Sequence, residues 1–232
     1  VGLMAECTSH PINTFSIVFE EEQFDESAYS SLVAKRFNTQ HTPILLRASD
    51  FLESFPAALQ AIDSPSGDGI NTYLVSRATK EAGITVALSG IGGDELFAGY
   101  ATFSRWMQLS HSPFWYIPYS LRHAGSKILS ESGSVLFERL GTIGSSRFPY
   151  IECIYPAFRQ VLGLRSANTL FKYGDSTSDS MYNLIAARGD ALRRLPLLSQ
   201  YTAAELLGYT SNVLLKDTDQ MGMASALEIR EP

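Results

Sequence analysis

Two rhythms of apolar residues run along this chain, a strand-like alternation and a helix-like spacing, and their succession sets out its elements. Ile12-Asn13-Thr14-Phe15-Ser16-Ile17-Val18-Phe19 alternates and then ends apolar, which predicts a buried strand. Ahead of it, Val1 to Glu6 reads as the tail of an amphipathic helix, closed by the polar Thr8-Ser9-His10-Pro11. After it, Ala28, Tyr29, Leu32, Val33 and Phe37 fall on one helix face, with Asp25 as the cap. Pro43-Ile44-Leu45-Leu46 predicts a further short strand. Asp50 through Ile62 reads as helix, with Pro56 kinking it or shifting its start. The cluster Asp63-Ser64-Pro65-Ser66-Gly67-Asp68-Gly69 is a turn leading to a helix capped near Asn71 or Thr72. That helix carries Leu74, Val75 and Ala78 inward and stops at Gly83. Ile84-Thr85-Val86-Ala87-Leu88 is a β-branched run that predicts a buried parallel strand. Leu96, Phe97, Tyr100 and Phe103 then recur at helical spacing, so a helix begins near Asp94. Strands alternating with helices predict a parallel α/β sheet.

From about Trp106 the grammar changes, and helical patterns separated by glycine and serine replace the strands. Ser110 to Pro118 is aromatic and broken by proline, and reads as a packed elbow rather than a binding surface. Gly141 to Ser146 and Gly174 to Ser180 read as loops. Thr202 is expected to cap a helix holding Ala203, Leu206 and Leu207; Leu214 and Leu215 lead into a stripe of Met221, Met223 and Leu227. The expected division is an α/β part over 1–105 and a helical part over 106–232.

Composition narrows the classes of partner. Hydrophobic residues make up 45% and charged residues 18%, which is globular rather than disordered. A net charge of −6 argues against a duplex-DNA binder, which carries a basic face. No apolar run approaches the roughly 18 residues that span a bilayer, and no signal peptide is visible. Cys7 and Cys153 lack metal or redox spacing and read as reduced packing cysteines of a cytoplasmic protein. His10, His41, His111 and His123 have no zinc spacing, so no metal ligands are assigned. Glu20-Glu21-Glu22 reads as a solvated loop.

Chemistry concentrates in Ser89-Gly90-Ile91-Gly92-Gly93-Asp94-Glu95-Leu96-Phe97-Ala98-Gly99-Tyr100. A strand turns into a helix through a loop in which glycine lets the backbone approach a ligand and aim N–H groups at an anion. Ser89 adds a hydroxyl at the carboxyl end of the strand, where open α/β sheets bind ligands. The reading is a phosphate-bearing ligand; the alternative is a purely structural tight turn.

The whole string resembles the SGxGGDELFxGY signature of the synthetase domain of glutamine-hydrolysing asparagine synthetases of the class B type. Asp219-Gln220-Met221-Gly222-Met223-Ala224 followed by Leu227-Glu228-Ile229-Arg230-Glu231-Pro232 resembles the DxMxMAxxLExRxP segment of the same family. The resemblance implies an adenine-nucleotide α-hydrolase-like, PP-loop ATP pyrophosphatase sheet with a mostly helical second half. It implies ATP with Mg2+ as cofactors, adenylation of the aspartate side-chain carboxylate, and attack by ammonia from a glutaminase domain to give asparagine. That domain and the SGGxDS pyrophosphate loop are not found in these residues, so the chain is expected to be a fragment, inactive alone and lacking a central strand.

Roles transfer residue by residue. Ile17 matches a position whose backbone recognises the adenine edge, and the alternative is a plain core residue. Ser89 and Gly90, with Gly92 and Gly93, match the cradle for ribose and α-phosphate. Asp94 resembles an acid near the aspartate substrate, or serves as a helix-start carboxylate. Glu228 and Arg230 are candidates on the substrate side, or a mutual ion pair. Where some relatives carry a proton-bearing residue this chain has Ile91, and where many carry a cation it has Gln220. Lys216, one turn before Gln220, is a substitute cation if the segment is helical. These departures keep open a β-lactam-type or other adenylating synthetase with another carboxylate, and a non-catalytic nucleotide-binding paralogue. A homodimer is also left open, and neither nucleic acid nor membrane is expected as partner.

Overall fold

A computed structural model describes residues 1–20, 25–130, 132, 134–162, 170 and 180–231. Its first elements in chain order are α1 (Gly2–Cys7), β1 (Asn13–Phe19), α2 (Ser27–Arg36), β2 (Gln40–Leu46), α3 (Ala48–Ala61) and α4 (Gly69–Glu81). There follow β3 (Val86–Leu88), α5 (Gly93–Phe97), α6 (Ala101–Ser110), α7 (Tyr119–Ser130), α8 (Val135–Ser145) and α9 (Ile151–Arg159). The last are α10 (Ser180–Ala186), α11 (Gly189–Leu192), α12 (Leu197–Glu205), a π-helix over Leu206–Leu214, α13 (Leu215–Ala224) and β4 (Glu228–Arg230). The chain is mixed α/β, mostly helical, with small parallel sheets, and forms two compact units: Val1–Ser89 with Val213–Pro232, and Gly90–Asn212. Of the loop predicted over Gly174 to Ser180, residues 174–179 lie outside the described residues, as do Glu21, Glu22 and Pro232, and Ser180 opens α10.

In the first unit β1 and β2 pair in parallel from Asn13↔Gln40 to Phe19↔Leu46. Thr14 and Ser16 of β1 share one face, where Thr14 Oγ1 and Ser16 Oγ lie 3.0 and 3.1 Å from the two ring nitrogens of His41. Alternation thus gives the strand, but the sheet is only half-buried. The crossing helix α2 is less covered than its pattern predicts: Ala34 is buried, whereas Tyr29 and Leu32 are 74% and 66% exposed. A two-stranded sheet offers one helix too little area to bury a whole face. Asp25 accepts from the amide and hydroxyl of Ser27, and Glu26 takes the cap position.

Helix α3 opens on a reciprocal cap between Arg47 and Asp50 and continues through Pro56. The cap of α4 is Asp68, earlier than Asn71 or Thr72, and Gly83 ends the segment at φ +88. β3 is parallel, as predicted, and pairs with β4 from Val86↔Glu228 to Leu88↔Arg230. It is not buried: Val86 and Leu88 are 50% and 58% exposed, because among the described residues it has one neighbouring strand. α13 packs on α4 and α3, with Met221 and Leu227 buried but Met223 67% exposed.

The second unit is helical around Phe103, Trp106, Ile154, Tyr155, Ile185 and Tyr201. Trp106 donates its indole N–H to the Leu197 carbonyl at 2.9 Å, which satisfies the one polar atom of that ring in the core. The aromatic elbow packs within its own unit. Rings of Phe114, Trp115 and Tyr119 surround the buried Arg122 guanidinium, which donates to the carbonyls of Ile117, Ser146 and Arg147. The segment Gly141 to Ser146 is not a loop but runs in α8 through Ser145. A side chain at Gly141 or Gly144 would strike Ser130, Ser126 and their backbone on α7, so these glycines serve close helix packing. Thr202 lies inside α12, which is capped by Pro196.

Candidate functional site

The two signature segments meet in the first unit. Parallel pairing brings the ends of β3 and β4 side by side, and the Ser89 amide donates to the Arg230 carbonyl at 2.9 Å. Glu228 and Arg230 are both exposed and pair with each other, Arg230 Nε donating to Glu228 Oε1 at 2.7 Å. Ile17 pairs with Ile44 in the other two-stranded sheet and is half-buried. Ser89, Glu228 and Arg230 therefore share one place, and Ile17 stands on a separate strand pair.

Lys216 lies in the first turn of α13, so the helical condition set for it holds. Its ammonium donates to the Pro65 carbonyl at 2.5 Å. Next to it, the fully buried Asp217 accepts from the Ser66 hydroxyl at 2.8 Å and the Asp68 amide at 2.9 Å. Gln220 donates to the Ala61 carbonyl at 3.0 Å. The first turn of α13, just ahead of the second signature segment, thus holds down the turn before α4. Burial raises the Asp68 carboxyl above its ordinary range, and the neighbouring Asp217 charge adds to this.

In the second unit the glycine loop continues into α5. Gly92 has φ +93, a conformation glycine tolerates and other residues resist. Gly90, Gly92 and Gly93 have nothing within 4 Å of where a Cβ would project. The loop is therefore open on that side rather than packed against protein. Helix α5 is short, because Ala98 turns left-handed at φ 59 and the chain restarts as α6. Leu96 and Phe97 are consequently exposed, 55% and 85%, and the helix dipole adds little. Asp94 is exposed, with its carboxylate lying over Gly99, where any side chain would collide with it.

One residue of the signature points the other way. Glu95 is 1% exposed, and Tyr100 donates its hydroxyl to Glu95 Oε1 at 2.7 Å. Sequence gave no sign of this, since two adjacent acids look equally polar. Among the described residues no group of three or more His, Cys, Asp or Glu could hold a metal ion, and no helix is long and apolar enough to cross a membrane. Cys7 and Cys153 are free thiols.

Strand ends in parallel register, followed by a glycine-rich turn, are a build shared by nucleotide-binding proteins. Comparison with known proteins is more specific. The family model for asparagine synthase matches residues 1–232. Asparagine synthetase [glutamine-hydrolyzing] 1 of Bacillus subtilis is 28% identical over 232 residues, covering 96% of this chain and 35% of the relative. Putative asparagine synthetase [glutamine-hydrolyzing] 2 of Methanocaldococcus jannaschii is 38% identical over 131 residues, 55% of this chain and 25% of the relative. A putative asparagine synthetase [glutamine-hydrolyzing] of Mycobacterium bovis is 26% identical over 235 residues, covering 94% and 33%. No solved structure matches significantly. The chain belongs to the asparagine synthase family. It spans about a third or less of the length of these curated relatives.

Proposed function

We propose that this chain is the ATP-binding and aspartate-adenylating part of a cytoplasmic, glutamine-dependent asparagine synthetase. Its two parallel strand pairs are then halves of one PP-loop-type sheet, completed by a strand between β1 and β3. The aspartate carboxylate oxygen attacks the α-phosphorus of ATP, and the bond to pyrophosphate breaks. Ammonia then attacks the acyl carbon, AMP leaves, and the nitrogen gives up a proton. Mg2+ carried in with ATP would supply charge compensation for the departing pyrophosphate.

In this reading Gly90 and Gly92 offer amides and Ser89 its hydroxyl to the ribose and α-phosphate, while Gly93, whose amide donates to the Gly90 carbonyl, leaves room for them. The Ile17 backbone meets the adenine edge, and Asp94, Glu228 and Arg230 serve the aspartate side. Lys216 is the cation in place of Gln220. Ile91 cannot carry a proton, so no base acts from that position. The observation that supports the proposal is the Ser89–Arg230 hydrogen bond, which joins both signature segments beside a loop whose glycines face open space.

Pyrophosphate exchange into ATP, measured on the protein expressed from its complete reading frame, is the test. Exchange that requires aspartate supports the assignment. Exchange with a different carboxylate supports the second reading, a related synthetase with another acceptor, which Ile91 favours. No exchange with any carboxylic acid indicates a non-catalytic nucleotide binder.

A further inference from the structure

Behind the glycine loop, the second unit contains polar groups that the proposed chemistry does not use. Glu205 is fully buried and receives two hydrogen bonds from Arg159, Nε to Oε1 at 3.0 Å and Nη2 to Oε2 at 2.5 Å. Tyr155 donates its hydroxyl to Glu205 Oε2 at 3.2 Å and accepts the Tyr209 amide at 3.2 Å. The Arg159 guanidinium also lies 3.9 Å from the Tyr209 ring centre and 5.7 Å from that of Tyr100. Tyr100 in turn holds the buried Glu95.

Stability alone gives a poor reason for this arrangement. The surroundings are aromatic, and a buried ion pair there is commonly matched or exceeded by apolar residues of similar volume. The charge of Glu95 also joins burial in raising the Glu205 carboxyl, although Arg159 pairs with Glu205. The network ends at Tyr100, just past α5, and at Glu95 inside α5, immediately after the loop. At five residues α5 is too short to hold its own orientation.

We infer that Arg159 and Glu205 are positioning residues for the glycine loop, acting through Tyr100 and Glu95. The inference rests on reading that loop as the seat of the nucleotide phosphate. Their ion pair fixes the face of Tyr100, Tyr100 fixes Glu95, and Glu95 anchors the first turn that continues Gly92 and Gly93. The open side of the loop is thereby held toward the ligand from behind.

The test uses the protein expressed from its complete reading frame and the double variant Arg159→Met/Glu205→Leu, which replaces the pair with apolar volume. Thermal unfolding checks the fold, while pyrophosphate exchange gives KM for ATP and kcat, with calorimetric ATP titration as a second readout. The expected result is cooperative unfolding, an ATP KM raised about tenfold, and kcat changed far less. Tyr100→Phe leaves the ion pair intact, cuts its link to Glu95, and should raise KM similarly. If the double variant fails to fold, Tyr100→Phe decides the question. Wild-type KM in a folded variant overturns the positioning role. Gly93→Val separates the two levels, since it fills the open side of the loop directly. Loss of binding there with wild-type KM in the other variants overturns the positioning role alone. Wild-type KM in Gly93→Val overturns the phosphate seat, and the positioning role with it.

Discussion

The amide of Ser89 donates to the carbonyl of Arg230 at 2.9 Å, across more than half the length of the chain. One backbone bond thus extends the β3–β4 ladder to the first residue of the glycine loop. Side chains at the two positions are free to vary without breaking it. Arg230→Gln removes an exposed pair with Glu228, so unfolding free energy should change by no more than about 0.5 kcal/mol. Loss of aspartate-dependent exchange in a variant of unchanged urea midpoint would assign Arg230 to the substrate side.

Glycines in the loop should separate into two kinds. Gly92→Ala forces a Cβ onto φ +93 and should cost about 1–2 kcal/mol by urea titration. The obstacle is backbone strain, not crowding, because the space beside Gly92 is open. Gly93→Ala should be neutral in stability and should still weaken ATP binding.

Ala98 carries the left-handed turn that ends α5. Ala98→Gly should stabilise the chain by about 0.5–1 kcal/mol, since glycine takes this conformation without a Cβ penalty. Thermal unfolding at matched pH would show it as a raised midpoint.

Asp217 is the acceptor for two donors of the turn before α4. Asp217→Ala leaves the Ser66 hydroxyl and Asp68 amide without that partner and should cost about 2–4 kcal/mol. A loss below 1 kcal/mol by urea titration would mean that water replaces the carboxylate.

The Asp68 carboxyl is raised in the folded chain, chiefly by burial. Its contribution to stability is complete below the unfolded value near 3.8 and is lost as pH rises through the folded value. Asp68→Asn removes that loss and keeps a residue suited to the cap. The variant should melt above the wild type at pH 7, with the gap closing below about pH 4. A gap independent of pH would exclude the titration of Asp68 as its cause.

Much of the fold is legible in the sequence because periodicity reports burial. β1, β2, α3 and α4 stand where alternation and helical spacing put them. β4 is not legible: three residues carry no pattern, and Glu228 to Arg230 stood out only as part of a signature. Gly141 and Gly144 look like breakers, yet they are contact points between α7 and α8. The π-helix was invisible too, since its wider turn depends on groups such as Asn212 reaching back to the Leu207 carbonyl. At the site, the glycines and Ser89 were readable from residue type. The inward turn of Glu95, and its support by Arg159 and Glu205, depends on contacts between segments that local spacing does not relate, Tyr100 with Arg159 and Arg159 with Glu205.

Among the described residues, β3 has a partner on one margin only, and Val86 and Leu88 are more than half uncovered or close to it. A bare margin of this kind is a template for another copy of itself. Produced from these residues alone, the chain should therefore tend to self-associate through β3, and a lysine at Val86 should improve its solubility.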